Sequence, residues 1–381
     1  MKIVIVVSSP MTIQAFLYDQ IMQLSRNHSV TVIANCIEYS DLKILENNIV
    51  LRPVNIIREI SPWNDLKAIY SLIKIFGKYK FDLVYSITPK AGLLAMFAGL
   101  LVRIPIRIHI FTGQVWVTKV GIKRFVLKSI DKRIANFATQ LLTDSASQMQ
   151  FLVESKIVNK RKIDVLANGS ISGVNLKIFS PNSITRTNIR LDLNIDENDI
   201  VFLFLGRLHP DKGIADLVDA FKLLIDQHKN VKLLIVGPDE ADMRKKIMLN
   251  MGAGSDCVQF VGFTSNPEHY MNAADVLCLP SYREGFGSVV IEAAAVGIPA
   301  IGSDIYGIKD AIVDNVTGLL FPARNVEMLF VAMQIMVLDE RVRKQFGLSA
   351  KQRAIDQFSQ EFVTKSFVCY FEEIFNVGRA K

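Results

Sequence analysis

Short apolar runs alternate along the chain with longer segments in which apolar residues recur at helical spacing. Because these runs are mainly apolar and do not alternate with polar residues, they predict strands buried on both faces, as in parallel sheets covered by helices. The predicted strands are 2–7, 29–34, 81–86, 105–111, 140–143, 200–205, 231–236, 257–261, 275–279 and 299–302. The predicted helices are 12–26, 63–78, 90–102, 121–138, 214–229, 288–296, 325–337, 341–357 and 359–376.

The strands fall into two series, and each series predicts one doubly wound α/β domain. We expect an N-terminal domain over residues 1–180 and a C-terminal domain over 181–358, with the boundary near the polar segment 180–199. The final segment, 359–381, is expected to form a helix that returns to the N-terminal domain. Ligands of open α/β sheets bind at the carboxyl ends of the strands, so two such domains facing each other would form a binding cleft.

The composition is that of a folded globular chain. Half of the 381 residues are hydrophobic and 21% are charged, which argues against disorder. The twelve uncharged residues Ala91–Val102 are too few to span a bilayer. The N-terminal segment has one lysine and a short apolar run, which indicates a first strand rather than a signal peptide. Four cysteines without C-x-x-C spacing argue against a zinc site or disulfide scaffold and suit a reducing cytoplasm: Cys36, Cys257, Cys278 and Cys369.

Positive charge is concentrated in the first half of the chain. Residues 1–180 contain 23 lysines and arginines against 11 acidic residues, whereas residues 181–381 contain 21 against 26. This asymmetry predicts an anionic partner for the first half, either nucleic acid or an anionic membrane surface. No motif interleaves these basic residues with stacking aromatics or places them on a reading helix, so we expect no nucleic-acid partner.

The segment 121–137 combines positive charge with helical periodicity. Two interpretations are open: a basic amphipathic helix on a membrane surface, or an ordinary surface helix with its apolar side in the core, which is the more common case. The apolar side consists of Ile122, Phe125, Val126, Ile130, Ile134 and Phe137, and the remainder of Lys123, Arg124, Lys128, Asp131, Lys132 and Arg133.

The first segment with candidate chemistry is 206–213, GRLHPDKG, between a strand and a helix. Gly206 and Gly213 permit tight turns, while Arg207 and Lys212 bring two cations to the carboxyl end of a strand. Such a turn suits a diphosphate, because cations and the amides of a helix start both favour anions. The other interpretation is a solvated loop with two surface cations.

The second segment is 280–288, PSYREGFGS, which precedes a helix carrying Glu292. A Gly-x-Gly turn at a helix N-terminus presents free amides to an anion. Carboxylates beside a phosphate site would repel the phosphate unless they face hydroxyl groups. Glu284 and Glu292 next to cations therefore indicate a nucleotide-sugar site, and the alternative is a helix cap with a surface glutamate.

Together these segments resemble the retaining glycosyltransferases of family 4. The resemblance rests on Glu284 and Glu292 in an E-x7-E arrangement with the G-R-x-x-x-x-K-G segment upstream, and it is most specific over residues 200–321. Gly262-Phe263, 274–276 and 317–321 extend it. In the N-terminal half, 107–116, 144–148 and 168–174 are similar to members that build surface polysaccharide repeat units on a lipid carrier.

The resemblance implies the GT-B fold, with two Rossmann-like domains facing each other across a cleft, and it implies roles for individual residues. Arg207 and Lys212 would hold the donor diphosphate, Glu292 would bind the ribose hydroxyls, and Glu284 would contact the sugar hydroxyls. His109 matches a family histidine that approaches the donor sugar from across the cleft, although by itself it reads as a core or loop histidine. The remaining donor-binding positions are Gly262 and Phe263 near the base, and Gly285, Phe286, Gly287 and Ser288 around the sugar and phosphates.

The implied reaction transfers a hexose or N-acetylhexosamine, with retention, from a nucleoside diphosphate to a lipid-linked saccharide in surface polysaccharide synthesis. Uridine diphosphate is expected on family frequency. The sequence contains no Asp-x-Asp, which together with the two cations predicts an enzyme that needs neither metal nor cofactor. An anionic polyprenyl diphosphate acceptor fits the basic N-terminal half and predicts peripheral attachment to the inner face of the membrane.

One segment departs from the family pattern. Many members carry a glycine-rich loop after the first strand, whereas residues 8–12 read SSPMT. Close approach of the backbone to a ligand is harder without glycine, which weakens the case for phosphate or acceptor contacts there. Two other functions fit the same fold: a phosphorylase or sugar epimerase, and a non-catalytic nucleotide-binding scaffold.

Overall fold

A computed structural model describes residues 1–35, 49–57 and 61–379. Cys36 lies outside these described residues. The chain divides into two compact units, one formed by Met1–Ser172 with Glu361–Lys381 and the other by Gly173–Gln360. No helix in the described part of the chain is long and apolar enough to cross a membrane.

The first unit is built on a parallel sheet. In the described residues its strand order is β3-β2-β1-β4-β5-β6-β7. The chain leaves the central strand β1 toward one edge and returns at β4 to build toward the other, so the winding reverses between β1 and β4. The strands are β1 Lys2–Val6, β2 Ser29–Ala34, β3 Ile49–Pro53, β4 Leu83–Ser86, β5 Ile106–Phe111, β6 Gln140–Thr143 and β7 Ile163–Val165.

Helices cover both faces of this sheet. On one face, side chains of α3, α4 and α5 form a single apolar core that includes Leu72, Phe76, Ala95 and Ile134. The opposite face is covered by the first helical segment, through Ile21 and its neighbours. The helices are α1 Pro10–Thr12, α2 Tyr18–Ser25 after a π-helical turn at Ile13–Leu17, α3 Pro62–Tyr79, α4 Pro89–Leu101, α5 Gly121–Phe137 and α6 Ala146–Glu154.

The second unit repeats this plan with a six-stranded parallel sheet in the described residues. Its order is β10-β9-β8-β11-β12-β13, so the winding reverses between β8 and β11. The strands are β8 Ile200–Leu205, β9 Val231–Val236, β10 Val258–Gly262, β11 Val276–Leu279, β12 Ala300–Ser303 and β13 Gly318–Phe321. The helices are α7 Ser183–Asp192, α8 Ile214–Gln227, α9 Met243–Met251, α10 Pro267–Ala273, α11 Ser288–Val296, α12 Ile308–Ala311, α13 Val326–Leu338 and α14 Glu340–Phe358.

The polar segment 180–199 contains an ordered helix, α7, that belongs to the second unit. Arg190 is buried on α7, and its guanidinium donates to Asp275 at 2.7 Å and to three carbonyl groups of residues 196–199. Asp275 also accepts from Arg186 at 2.7 Å. A sequence that looks like a polar linker is therefore held by a buried, hydrogen-bonded ion pair.

The last helix, α15 (Gln360–Arg379), packs on the sheet of the first unit. Phe367 and Phe371 lie edge-on to Tyr85 of β4, with ring centroids 5.6 and 5.5 Å apart. Its Glu372 lies 2.9 Å from Nε2 of His28. These contacts complete the apolar layer that α2 begins on that face.

The predicted pair of doubly wound parallel sheets is confirmed. The ten predicted strands correspond to observed strands whose ends differ by at most two residues, and the three additional strands, β3, β7 and β13, are short. The predicted helices likewise have counterparts. The additional helices α6, α7, α9, α10 and α12 have ten residues or fewer, which leaves little periodicity to detect.

His109 is part of the core of the first unit. It lies in β5, is 1% exposed, and places Nδ1 2.9 Å from the Ser86 hydroxyl oxygen. Its ring stands edge-on to Phe111 and presses against Gly92 of α4, where an added Cβ would lie 2.4 Å from the ring carbon Cε1. Burial lowers the pKa of His109 to about 3, so its imidazole is neutral at physiological pH.

We predict that two glycine-to-alanine changes in helices of the first unit have opposite effects. Gly92→Ala should lower the free energy of unfolding by roughly 1–3 kcal/mol, because the new methyl group displaces the His109 ring. Gly77→Ala is the matched control: open space surrounds Gly77, so the better helix former should raise stability by up to about 1 kcal/mol. Urea unfolding measures both, and equal effects would contradict this packing.

Candidate active site

The loops after β8 and β11 meet where the winding of the second sheet reverses. Gly213 ends the first loop with φ 65°, and a Cβ there would lie 2.0 Å from the Pro280 carbonyl oxygen. The amide of Tyr282 donates to the Asp211 carbonyl at 2.9 Å. Only glycine permits this approach, and the reversal point of a doubly wound sheet is where such folds bind ligands.

Lys212 and Glu284 form an ion pair between these two loops. Lys212 Nζ lies 2.5 Å from Glu284 Oε1, and the Ser281 hydroxyl donates to the same oxygen at 2.8 Å. Both ion-pair partners are largely buried, with side chains 19% and 15% exposed. The carboxylate therefore fixes the position of the ammonium group, while the structure shows no bond from a described residue to Oε2 of Glu284.

Arg207 points to a different neighbour. Its guanidinium pairs with Glu240 at 2.5 Å, and both side chains are 38% exposed. Glu240 lies in the loop after β9, which is pressed against the loop after β8: a Cβ on Gly237 would lie 1.9 Å from the Gly206 carbonyl oxygen. Among the described residues no hydrogen bond or ion pair joins Arg207 to Lys212 or Glu284.

No side chain caps the N-terminus of α11. Gly287 occupies the N-cap position with φ 80° and supplies no side-chain cap, and the first turn carries no acidic residue. Phe286 anchors the loop, because its side chain is buried and its ring centroid lies 5.2 Å from that of Phe358. Gly307, with φ 86°, lies so close that a Cβ would be 2.5 Å from the Gly285 carbonyl oxygen. Backbone N–H groups of a helix start favour an anion, and Ser288 is its first residue.

Glu292 lies one turn further along α11. Burial, with a smaller contribution from the charge of Glu268, raises its pKa to about 7. Among the described residues no hydrogen bond or ion pair to this carboxylate is found. Its Oε atoms are thus available to hydroxyl donors, which would satisfy a carboxylate that the protein leaves without a partner.

Gly262 and Phe263 lie at the end of β10, at the same edge of the sheet. A register shift occurs between Phe260 and Gly262, and Gly262 adopts φ 81°. Phe263 is 71% exposed, an unusual position for a phenylalanine ring. The turn therefore presents an aromatic surface to solvent at the edge where the other candidate residues lie.

The predicted residues thus fall into three groups. Lys212 and Glu284 are in direct contact, as are the loops that carry them. Arg207, Glu292 and Phe263 lie at the same sheet edge without a direct bond to that pair, and His109 belongs to the first unit. In the described residues, no group of three or more His, Cys, Asp or Glu side chains could hold a metal ion.

Several residues that shape the site were not singled out from the sequence. They are Ser281, which donates to Glu284, Glu240, which pairs with Arg207, and Gly307, which packs against Gly285. Glu240 and Gly307 lie in other loops and belong to no recognisable motif. Glu268 influences Glu292 from α10, another element. Only Ser281 offered a signal, since it lies inside the 280–288 segment.

The raised pKa of Glu292 makes a prediction about stability and pH. The folded protein binds this proton more tightly than the unfolded chain, so folding loses stability as pH rises from about 4.5 to about 7. Glu292→Gln removes that loss. In urea unfolding without ligand, the free energy of unfolding of the variant should rise relative to that of the wild type between about pH 5 and about pH 8. Glu327→Gln, at an exposed position, is the control. A difference that is constant with pH would contradict the prediction.

The chain is similar in sequence to known glycosyltransferases. Residues 185–353 match the family model described as Glycosyl transferases group 1, and residues 13–169 match the Glycosyl transferase 4-like domain. The chain is 29% identical to the Staphylococcus aureus capsular polysaccharide biosynthesis glycosyltransferase CapM, covering 89% of this chain and 88% of that one. It is 26% identical to an Escherichia coli UDP-Gal:alpha-D-GlcNAc-diphosphoundecaprenol alpha-1,3-galactosyltransferase, over 79% and 78% of the two chains.

Solved structures share the fold of this chain. The structure of sucrose-phosphate synthase from Thermosynechococcus elongatus superimposes with a TM-score of 0.83 at 21% identity, covering 99% of this chain and 100% of that one. Between them, the two family models span most of the chain, one in each structural unit. Both family models therefore identify the chain as a glycosyltransferase, and its fold is GT-B.

Proposed function

We propose that this glycosyltransferase moves a hexose or N-acetylhexosamine, with retention, from a UDP-linked donor to a lipid-linked saccharide in surface polysaccharide synthesis. The observation that carries the proposal is the Lys212–Glu284 pair at the winding reversal of the second sheet. An ammonium group held in position before reaction, next to an uncapped helix start, suits a leaving diphosphate.

In this proposal the donor occupies the carboxyl edge of the second sheet. Lys212 and the α11 amides bind the diphosphate, and Arg207 joins them by leaving its exposed pair with Glu240. Glu292 accepts hydrogen bonds from the ribose hydroxyls, and Phe263 stacks on the base. Glu284 accepts from sugar hydroxyls through Oε2 while Oε1 holds Lys212.

The proposed chemistry is front-face substitution at the anomeric carbon. The bond from that carbon to the diphosphate oxygen breaks, the acceptor oxygen forms a bond on the same face, and the acceptor proton passes to the leaving phosphate. A double displacement would require a carboxylate nucleophile. Glu284 is the candidate for that role, but in this proposal its Oε1 holds Lys212 and Ser281 and its Oε2 binds the sugar hydroxyls.

We further propose that transfer needs no divalent cation. The cationic groups of Lys212 and Arg207 and the partial positive charge of the α11 N-terminus supply the charge that a metal would provide. The sequence also lacks the Asp-x-Asp carboxylate pair that commonly holds a divalent cation on a diphosphate.

The relatives support the choice of substrates. The name of the Escherichia coli relative includes UDP-Gal as donor and a diphosphoundecaprenol-linked sugar as acceptor, and that of the Staphylococcus aureus relative includes capsular polysaccharide synthesis. A lipid diphosphate acceptor is anionic and membrane-bound, which fits the basic charge of residues 1–180. We therefore propose that the protein works at the inner face of the membrane as a peripheral enzyme.

The direct test is an assay of nucleotide sugars with a lipid-linked saccharide extract as acceptor, read by mass spectrometry with and without a chelator. We expect one hexose or N-acetylhexosamine added to the acceptor, with free UDP released only when acceptor is present. Release of nucleotide without an acceptor product would refute transfer. Loss of activity in chelator that magnesium restores would refute metal independence.

Replacing Lys212 or Glu292 by alanine should impair different steps, catalysis in the first case and nucleotide binding in the second. Lys212→Ala should lower kcat by roughly a hundredfold or more, because its charge is needed most as the diphosphate departs. Glu292→Ala should weaken UDP binding by about ten- to a hundredfold, measured by calorimetry, because hydrogen bonds to a carboxylate are lost. Lys229→Ala, in the exposed turn that follows α8, is the control. An unchanged kcat in the first variant, or unchanged UDP affinity in the second, would contradict the assigned role.

A further inference from the structure

The basic helix α5 exposes large apolar side chains instead of burying them. Ile122 and Phe125 are 83% and 72% exposed, and Val120 immediately before the helix is 84% exposed. The core contacts of α5 come from another side, through Asp131, Ile134 and Ala135. The second half of α5 therefore packs in the core together with Leu127, whereas Ile122, Phe125 and Val126 in its first half are exposed.

Helix α3 presents a second surface of the same kind. Trp63, Leu66 and Tyr70 are 79%, 58% and 69% exposed and lie three and four residues apart, so they form one stripe. The buried residues of α3 are Ala68, Leu72 and Phe76, on the opposite side of the helix. The stripe therefore points away from the sheet, as do the exposed residues of α5.

The topology of the first unit brings these surfaces to one place. The connections from β3 to β4, from β4 to β5 and from β5 to β6 all advance in the same direction along the sheet, so α3, α4 and α5 cover the same face. Each of these helices starts at the carboxyl ends of the strands. Helix α4 packs between the other two, and Lys90 at its start pairs with Asp65 of α3 at 2.7 Å.

The residues around this surface are mostly basic. We define the α3–α5 face as the exposed apolar residues together with their neighbouring cations. Asp65 is neutralised by Lys90, and Asp131 is buried with its carboxylate accepting from the Trp116 indole at 2.7 Å. The members of the face are Trp63, Leu66, Lys67, Tyr70, Lys74, Lys119, Val120, Ile122, Lys123, Arg124, Phe125 and Lys128.

We infer that the α3–α5 face docks on an anionic lipid bilayer. Exposed Trp and Tyr suit the headgroup region, the aliphatic and phenyl groups suit the acyl boundary, and the lysines and arginines suit anionic headgroups. The inference deepens the proposed function, since docking this way places the carboxyl edge of the first sheet beside the headgroups. The diphosphate of a lipid-linked acceptor lies at that level.

The chain contains its own reporter for this contact. It has two tryptophans, of which Trp116 is buried and Trp63 lies on the α3–α5 face. Vesicles of phosphatidylcholine mixed with phosphatidylglycerol should shift the tryptophan emission to the blue, and brominated acyl chains should quench it. Trp63→Phe should remove the shift and leave vesicle sedimentation in place. An unshifted wild-type emission, or an equal shift with phosphatidylcholine alone, would overturn the inference.

Variants separate this face from the rest of the chain. The double change Ile122→Ser with Phe125→Ser should weaken partition into anionic vesicles by about tenfold or more, and Lys123→Ser by roughly fivefold at low salt. The matched control is Ile184→Ser with Leu249→Ser, which replaces two equally exposed residues, 72% and 75%, of the second unit. Equal partition of the face variant and the control variant would overturn the inference.

Two further measurements distinguish other outcomes. Transfer to a detergent-dispersed acceptor should be unchanged in the Ile122→Ser, Phe125→Ser variant. If the wild type transfers sugar but binds no vesicles, the docking surface and the peripheral attachment are wrong and the proposed transfer reaction stands. If it binds vesicles through this face but transfers no sugar, the docking surface stands and the proposed transfer reaction is wrong. A wild-type dimer in sedimentation that this variant dissociates would assign the face to a second copy and overturn the inference.

Discussion

The candidate site of this glycosyltransferase depends on the close contact between the loops after β8 and β11. The contact exists because Gly213 has no side chain where the Pro280 carbonyl oxygen lies. It brings Lys212 within 2.5 Å of Glu284, residues that are far apart in sequence. An ammonium group without this carboxylate would be a mobile surface cation; with it, the charge is held in one position before any ligand arrives, which is the condition for effective electrostatic catalysis.

The same edge of the second sheet also holds groups with opposite electrostatic character. The start of α11 offers amides and a partial positive charge, whereas Glu292 one turn later is a carboxyl group whose pKa is raised to about 7 by burial. Anionic phosphates and neutral hydroxyls can therefore be distinguished over a short distance. A nucleoside diphosphate sugar presents both kinds of group, and this match supports the proposed donor.

The first unit has the same winding but a different surface. Its carboxyl edge has no glycine turn after β1, where helix α1 starts directly at Pro10, and His109 is a neutral core residue that occupies the space left by Gly92. Its distinguishing feature is the basic and aromatic α3–α5 face. In the proposed function, similar sheets serve different partners because the loops and outer helix faces, rather than the strands, carry the chemistry.

The sequence by itself determined the two parallel sheets and most of their strands, because runs such as IVFLFL and VKLLIV are apolar at nearly every position and alternate with helical segments. It also identified the two loops of the site, since their glycines, cations and carboxylates stand next to strong strands and a helix start. Only the tertiary structure decided the partners. Lys212 pairs with Glu284, and Arg207 pairs with Glu240. His109 packs against Gly92. The polar segment around Arg190 forms an ordered helix that is bound to Asp275. These contacts join residues on separate elements, and their distances depend on how sheets and helices pack, which local sequence patterns do not encode.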